Sequence, residues 1–480
     1  MRFEGYPDDH AKHLQRVFEG APWGRAVAQG MVEEARRKLL VPARPVNVFK
    51  LPVQQLQRMN EATVRGLIAG GERDEERLLA VLGTWPEQWP EEVPVELSFL
   101  GVNLGFACDM QPRCVYCNQQ PVAQRMSVRD WLRVLRREIP AGREGPYVFL
   151  TGGEPLMLGE ALWGREGLVR GITGAGAACN LNTNGLTLTP EVALGLASSG
   201  LSRLHLSLDT HRASVQDEIC QQPGRWAQIL EALHNLQIAK ALLGVEHPVV
   251  HINCVLTRAN AEDFPAFLRF LLARKPLVKE AVSRDLDVHL IPVGGEQNAH
   301  LRLSVEEYER FFSDTWAAAE EAWQEYQEAR EVPAEKRGPL EAKVPYLSPY
   351  HRVRQSGSLH TWAEKAAAGL PAALSLTGRC YVAPTQAFLL PDGSQYWCGG
   401  HSTSRPEPVG SVLQASVAEN LRAGIGQLRH LPGPYCRSCA GATQAINQSV
   451  EASLRDLIRQ WLNPADTAAE EAEMQSPAFE

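Results

Sequence analysis

Residues 105–121 read GFACDMQPRCVYCNQQP, and residues 150–155 read LTGGEP. Cys114 and Cys117 form a C-x2-C pair, and Cys108 adds a third thiol after five intervening residues. Such spacing puts two sulfurs on one side of a tight loop and brings a third back to meet them. Three thiolates can hold three irons of a 4Fe-4S cube, which leaves the fourth iron open to a small molecule. Zinc is the competing occupant and wants a fourth ligand. Asp109 could supply it, whereas the nearest histidine in sequence, His205, is far away.

Working outward from this loop, six apolar runs alternate with helical stretches: VELSFLGV, YVFLTG, ACNLNT, LHLSLD, VVHINCVLT and DVHLIPV. The stretches between them, such as VRDWLRVLRREI and WAQILEALHNLQIAKALL, carry apolar residues at helical spacing. This alternation predicts right-handed βαβ units around a parallel sheet. The fold class is therefore α/β, a partial (β/α)6 TIM-like barrel over residues 94–302. Chemistry is expected at the C-terminal ends of its strands, by analogy with complete barrels. The cysteine loop follows the first strand, which puts it at that end.

Around the barrel, residues 1–93 read as an N-terminal helical region and 303–374 as a charged, helical bridging segment. Residues 375–450 carry four more cysteines among turn signals, and 451–480 read as a helix with an acidic tail. The chain has 480 residues, 44% hydrophobic, with a net charge of −8. That length suits several domains around a well-buried core. The acidic balance gives no basic surface for tracking phosphates, so general nucleic-acid binding is not expected. No segment reads as a signal peptide or a membrane span, and a cytoplasmic location is expected by default. Seven of the ten cysteines fall in two local groups with metal-ligand spacing, which favours metal over disulfides.

Taken together, the cysteine loop, the glycine turn and the barrel resemble the radical S-adenosylmethionine enzymes, over about residues 94–445. Their cluster loop is most often C-x3-C-x2-C with an aromatic residue before the last cysteine. Tyr116 fills the aromatic place, and the first spacing is two residues longer here. Thr151-Gly152-Gly153-Glu154-Pro155 matches the family's GGE motif. NTNG at 182–185 and LSLD at 206–209 match its third and fourth strand ends. The resemblance implies that Gly152, Gly153 and Glu154 hold the amino group of S-adenosylmethionine. Glycine suits a close approach of backbone to cofactor, and Glu154 can accept from the ammonium. Asn182, Asn184, Ser207 and Asp209 are candidates for the ribose or the methionine carboxylate, and Arg258 and Asn260, after the fifth strand, are similar candidates. Strand-end caps use the same residue types, so a structural role competes at each.

The second cysteine group is Cys380, Cys398, Cys436 and Cys439, with Gly393 in the pattern C-x12-G-x4-C before a closing C-x2-C. LPDGSQYW reads as a hairpin turn that returns Cys398 toward Cys380. This resembles the SPASM/twitch branch of the family. With no cysteine after Cys439, it implies a single auxiliary 4Fe-4S cluster, the twitch arrangement. Four-thiolate zinc is the alternative. Cys179, Cys220 and Cys254 remain. Buried filler is the ordinary role of such cysteines, and a hydrogen-atom donor near the radical is the functional one.

The resemblance implies a reaction. A reduced cluster cleaves S-adenosylmethionine to a 5'-deoxyadenosyl radical, which takes hydrogen from a substrate carbon. An external low-potential donor such as flavodoxin or ferredoxin would supply the electron. Oxidation or cross-linking of a ribosomally made peptide is the favoured outcome, because the extra helices offer surface beyond what a sugar needs. The lack of a recognisable leader-binding module at the N-terminus counts against it. A dehydrogenase or epimerase of a sugar or aminoglycoside-like molecule is the alternative. A non-enzymatic iron–sulfur or zinc scaffold is the reading from another class.

Overall fold

A computed structural model describes residues 3–463 except 45–49, 140–144, 278–282, 341–358, 370–379, 405–406, 432–435 and 437–440. Its centre is one nine-stranded sheet in the order β6-β5-β4-β3-β2-β1-β7-β8-β9. The first six strands are β1 (Phe99–Asn103), β2 (Tyr147–Thr151), β3 (Ala178–Thr183), β4 (Arg203–Ser207), β5 (Val249–Leu256) and β6 (Asp287–Pro292). All are parallel to their neighbours, in sequence order. The mixed α/β fold with a parallel sheet expected from the alternating runs is the observed one; four of the predicted runs contain their strand, and those of β1 and β4 miss one residue, Asn103 and Arg203.

The two faces of this sheet differ. Val148, Leu150, Leu181, Leu204, Val250, Ile252 and Leu290 alternate onto the face that packs under the surrounding helices, and all are buried. The intervening positions carry Asn180, Asn182, His205, Ser207, His251, Asn253 and His289. A parallel strand buried on both sides should be apolar throughout, so a polar inner face implies that the barrel's interior is used for something other than packing. Helices Val128–Glu138 and Arg225–Leu243 lie in the β1–β2 and β4–β5 crossovers. The first is started by a capping box between Ser127 and Asp130.

The sheet does not end with the barrel. Strand β7 (Gln386–Leu389) pairs parallel to β1, and the antiparallel strands β8 (Ser394–Tyr396) and β9 (Gly410–Ser411) follow it. The second cysteine region thus extends the barrel's own sheet and covers the otherwise unpaired edge of β1. Gly393 turns the β7–β8 hairpin at φ +88°, a left-handed conformation that favours glycine, as LPDGSQ predicted.

The N-terminal helical region is divided between two partners. Helix Asp8–Phe18 packs on Arg225–Leu243, where His10 Nε2 lies 2.9 Å from Gln237 Oε1. The following helix, Ala21–Ala28, brings the Trp23 indole N–H to Asn235 Oδ1 at 2.9 Å. Helices Lys50–Ala69 and Glu75–Leu82 instead join the C-terminal helix Gly441–Leu462 in a small bundle. Its core holds Leu56, Val64, Leu78, Leu82, Val450, Leu454 and Ile458, together with Tyr381 and Val382 beside Cys380. The bridging segment carries helices Val305–Arg310, Trp316–Ala329, which packs on Phe264–Leu272, and Leu359–Ala367, with a π turn at Phe311–Thr315. These added helices cover the outside of the barrel. The acidic tail from 464 onward and Cys439 lie outside the described residues.

Candidate cofactor and metal centre

The cysteine loop leaves β1 and is pinned by its neighbour. The N–H groups of Gly153 and Glu154 donate to the carbonyls of Gly105 and Ala107, each at 2.7 Å. A Cβ on Gly152 would lie 2.5 Å from the Gly105 carbonyl oxygen, and one on Gly153 would overlap the Ala107 carbonyl. The glycine pair is therefore required first by the close approach of two backbones. It fastens the GGE turn to the cysteine loop.

Cys108, Cys114 and Cys117 line one cavity of about 320 Å³, together with Gly152 and Gly153. Tyr116, Asn182, Asn184 and Ser207, candidates from the sequence, also face it, and so does Cys220. Asn184 Nδ2 donates to Asp109 Oδ1 at 2.6 Å and lies 3.9 Å from Cys108 Sγ. Arg113 Nη1 lies 3.8 Å from Cys117 Sγ, so a cation and an amide face two of the three sulfurs. Contact with the Cys220 thiol, then burial, raises the Cys114 thiol far above its ordinary value. Burial likewise raises Cys108. These thiols are protonated until a metal takes them as thiolates.

Two predicted cofactor contacts sit behind the cavity wall. Glu154 is 4% exposed. Its Oε1 accepts from the Leu156 N–H (2.9 Å) and the Thr183 hydroxyl (2.7 Å), and its Oε2 accepts from the Asn184 N–H (2.7 Å). It therefore clamps the GGE turn to the NTNG turn. Burial raises its carboxyl to about 7, against the pull of those three donors. Asp209 is similar: it accepts from the Tyr116 hydroxyl (3.0 Å), the Val255 N–H (2.7 Å) and Gln216 Nε2 (3.2 Å). Burial raises it to about 6. Tyr116 is thereby fixed at both ends, since its carbonyl accepts from Asn298 Nδ2 at 2.9 Å.

The remaining candidates separate cleanly. Cys179 and Cys254 alternate onto the helix-facing side of β3 and β5, with Leu181 and Ile252, while Cys220 faces the cavity. Asn260 Nδ2 donates to the Asp209 carbonyl at 2.8 Å, a structural bond, and Arg258 pairs with Glu307 of the bridging segment at 3.0 Å. Asn298, Gln216 and the Val293-Gly294 turn after β6 were missed by the sequence reading. The GG pair at 294–295, following a strand just as Gly152-Gly153 does, was the available signal.

The donor set can be tested against the groups it is expected to hold. Three thiols converge on one cavity, the Glu154 and Asp209 carboxylates are engaged elsewhere, and Asp109, the candidate fourth zinc ligand, does not line the cavity and has Oδ1 taken by Asn184, though its Oδ2 is buried without a hydrogen-bond partner. Three sulfur ligands beside a half-open cavity that also presents Asn182, Asn184 and Ser207 fit an iron–sulfur cube with one open corner better than closed zinc. In the second group, Cys380 accepts from the N–H groups of Val382 and Ala383 and from Asn447. Burial raises the Cys398 thiol to about 12, and the nearby Cys380 and Cys436 thiols add to the rise. Three of the four expected ligands are thus neighbours.

A parallel α/β barrel with three loop cysteines at its mouth defines the class, and the family comparison agrees. Residues 102–271 match the Radical SAM superfamily, and the chain carries a domain of that superfamily there. The GTP 3',8-cyclase of Pelotomaculum thermopropionicum is 30% identical over 214 residues, 42% of this chain and 58% of the relative. The AdoMet-dependent heme synthase of Oleidesulfovibrio alaskensis is 32% identical over 119 residues, 25% of this chain and 28% of the relative. The chain thus spans about half the length, or less, of these curated relatives. Among solved structures, Streptococcus suis SuiB bound to precursor peptide SuiA superposes with a TM-score of 0.44 at 14% identity, covering 88% of this chain and 82% of that one. Native anSMEcpe with bound AdoMet and Cp18Cys peptide gives 0.47 at 14% identity, covering 76% and 99%.

Proposed function

We propose that this chain is a radical S-adenosylmethionine enzyme that removes hydrogen from a carbon of its substrate. The observation that carries the reading is the convergence of Cys108, Cys114 and Cys117 on one cavity with the backbone of Gly152 and Gly153. When bound, a 4Fe-4S cube with S-adenosylmethionine at its open iron supplies an electron to the sulfonium and, from it, a hydrogen-abstracting 5'-deoxyadenosyl radical. The chain's residues would position the parts. Gly152 and Gly153 offer backbone to the methionine end, while Asn182, Asn184 and Ser207 offer amide and hydroxyl groups to the ribose or carboxylate. Glu154 and Asp209 hold the turns that carry them. The barrel walls exclude water from the reacting carbon. Cys380, Cys398, Cys436 and Cys439 would hold a second, closed cluster that accepts an electron or stiffens the sheet edge. The first cluster would be reduced by a flavodoxin- or ferredoxin-like donor.

For substrate, we favour a ribosomally made peptide modified by oxidation or cross-linking. The cavity's 320 Å³ is at the small end of ligand sites and is largely taken by one cofactor. A substrate would then lie across the mouth and offer one side chain, which suits an extended chain better than a compact sugar. The second reading, an epimerase or dehydrogenase of a small molecule, is favoured by Cys220, whose S–H could return a hydrogen atom within the same cavity.

Anaerobic reconstitution tests the proposal. About eight irons per chain are expected from two cubes, with release of 5'-deoxyadenosine on reduction in the presence of S-adenosylmethionine. Zinc in place of iron, or no such release, would overturn it. Mass spectrometry of peptides encoded beside the gene, in deuterated solvent, separates the substrate readings. Loss of two hydrogens indicates oxidation, and one deuterium without other change indicates epimerisation.

A further inference from the structure

Inside the barrel, on the inner face of the sheet, three histidines converge from consecutive strands. His205 lies on β4, His251 on β5 and His289 on β6, all three at most 6% exposed. His205 and His251 are register partners, and their rings lie 5.1 Å apart; His289 lies 4.5 Å from each, ring centre to ring centre. One ligand nitrogen from each ring can be chosen so that all lie within 4.8 Å of one another. These residues lie outside both cysteine groups and do not line the cavity described above.

Hydrogen bonding among neutral rings accounts for this cluster poorly. A neutral imidazole has one N–H and one lone pair. His251 Nδ1 and His289 Nε2 are 2.7 Å apart, a sound bond. His205 Nδ1, however, lies 3.0 Å from Asn253 Oδ1 and also 3.0 Å from His289 Nδ1, so one nitrogen faces two partners. His205 Nε2 is buried and has no hydrogen-bond partner. Buried polar atoms in folded proteins are nearly always satisfied, and barrel interiors are normally filled by branched apolar side chains. A buried ring nitrogen left unmet beside two further imidazoles is what a metal ion could take up.

We infer that His205, His251 and His289 form a binding site for one divalent transition-metal ion of the zinc class. Three imidazoles with no carboxylate select zinc, cobalt, nickel, copper or iron(II) over magnesium and calcium. Burial keeps His205 and His289 neutral and thus competent as ligands. Asp287 beside them is engaged by Lys275 at 3.1 Å, so it does not neutralise the ion. Arg203, two positions earlier on the same face, disfavours a loosely held cation, which restricts the site to ions with strong nitrogen affinity. The fourth position is left for water or an anion, as in three-histidine zinc sites. Asn253 supports the site from behind: it contacts His205 and donates to Asn182 Oδ1 at 2.7 Å. Asn182 faces the cysteine cavity, so the ion would lie one hydrogen-bonded step beneath it.

The test uses the full chain with both cysteine groups reconstituted with iron, exposed to excess Zn²⁺ and then passed over a chelating resin. Elemental analysis should find about one zinc per chain. Zinc-edge X-ray absorption should show nitrogen ligands at about 2.0–2.1 Å and no sulfur. His251→Gln and His289→Gln should each lower zinc retention at least about tenfold. Retention of no zinc, sulfur in its first shell, or full retention in both histidine variants would overturn the site. If a histidine variant fails to fold by circular dichroism, the ligand identity seen in the unmodified protein decides.

Discussion

The two cysteine groups sit on the same sheet and are built in opposite ways. The first is a loop beyond the end of β1, held by backbone bonds to the GGE turn and facing a cavity. The second is wedged where the sheet edge meets the small helical bundle. There Cys380 packs against the bundle's core, and Cys398 accepts from the His401 N–H at 3.4 Å. Thiols that face a cavity can share a metal with a small molecule. Thiols enclosed by backbone donors are suited to a closed, four-ligand centre. On the function proposed above, the first group is the site for chemistry and the second a closed centre.

Removing one ligand from each group breaks the comparison most sharply. Cys114→Ala should cut iron by about half and reduce 5'-deoxyadenosine release to background. Cys436→Ala should also lose about half the iron yet retain measurable release without product. Equal loss of release in both variants would show that the closed group supports the open one structurally.

Gly153→Ala tests how the open loop is held. The added methyl meets the Ala107 carbonyl, which cannot move without shifting the loop that bears Cys108. A destabilisation of about 1–3 kcal/mol or more is expected in thermal melting. The iron lost should come from the first group. Unchanged melting and iron content would mean that the turn and loop are not tightly docked.

That clamp also marks where sequence reading ran out. The six strands were legible because parallel strands leave apolar runs bounded by turns, and the cysteines because ligand spacing is local. The GGE turn was recognised for its nearness to the cofactor, but its contact with Gly105 and Ala107 spans nearly fifty residues and left no local trace. Glu154 was assigned to the ammonium, whereas its oxygens are engaged by Leu156, Thr183 and Asn184. His205, His251 and His289 each stand in a different apolar run, and only strand register brings them together. Likewise β7 could not be seen to join β1, because an edge pairing across nearly three hundred residues has no periodicity of its own.

The Glu154 clamp gives a pH signature. Its carboxyl stands at about 7 in the folded chain against an ordinary 4.5, so the folded state binds that proton more tightly. The resulting stabilisation is complete below pH 4.5, declines as pH rises to about 7 and is absent above. It amounts to on the order of 3 kcal/mol at most. Asp209, at about 6 against 3.8, acts in the same sense. Buried His205, lowered to about 4, acts in the opposite one. The readout is therefore the difference between the unmodified protein and Glu154→Gln. Denaturant unfolding at pH 5 and pH 8 should show a smaller fall with rising pH in the variant. An unchanged fall would place the Glu154 carboxyl at its ordinary value.

The smallest expected effect concerns what holds the closed group in place. Arg455, on the C-terminal helix, reaches Glu76 at 2.6 Å and Glu451 at 3.0 Å, and Glu75 lies 3.3 Å away. Its side chain is only 25% exposed, and it joins the two ends of the chain beside Tyr381. Partly exposed ion pairs contribute little individually, so Arg455→Met should cost about 0.5–1 kcal/mol. The first iron site, which belongs to the barrel, should be untouched, and 5'-deoxyadenosine release should persist. The second site depends on Asn447, which lies two turns earlier on the same helix and donates toward Cys380. A selective loss of iron from the second group on mild heating would show that the bundle, and not the hairpin, keeps the closed site closed. Parallel loss from both groups would show that the sheet they share carries the stability of each.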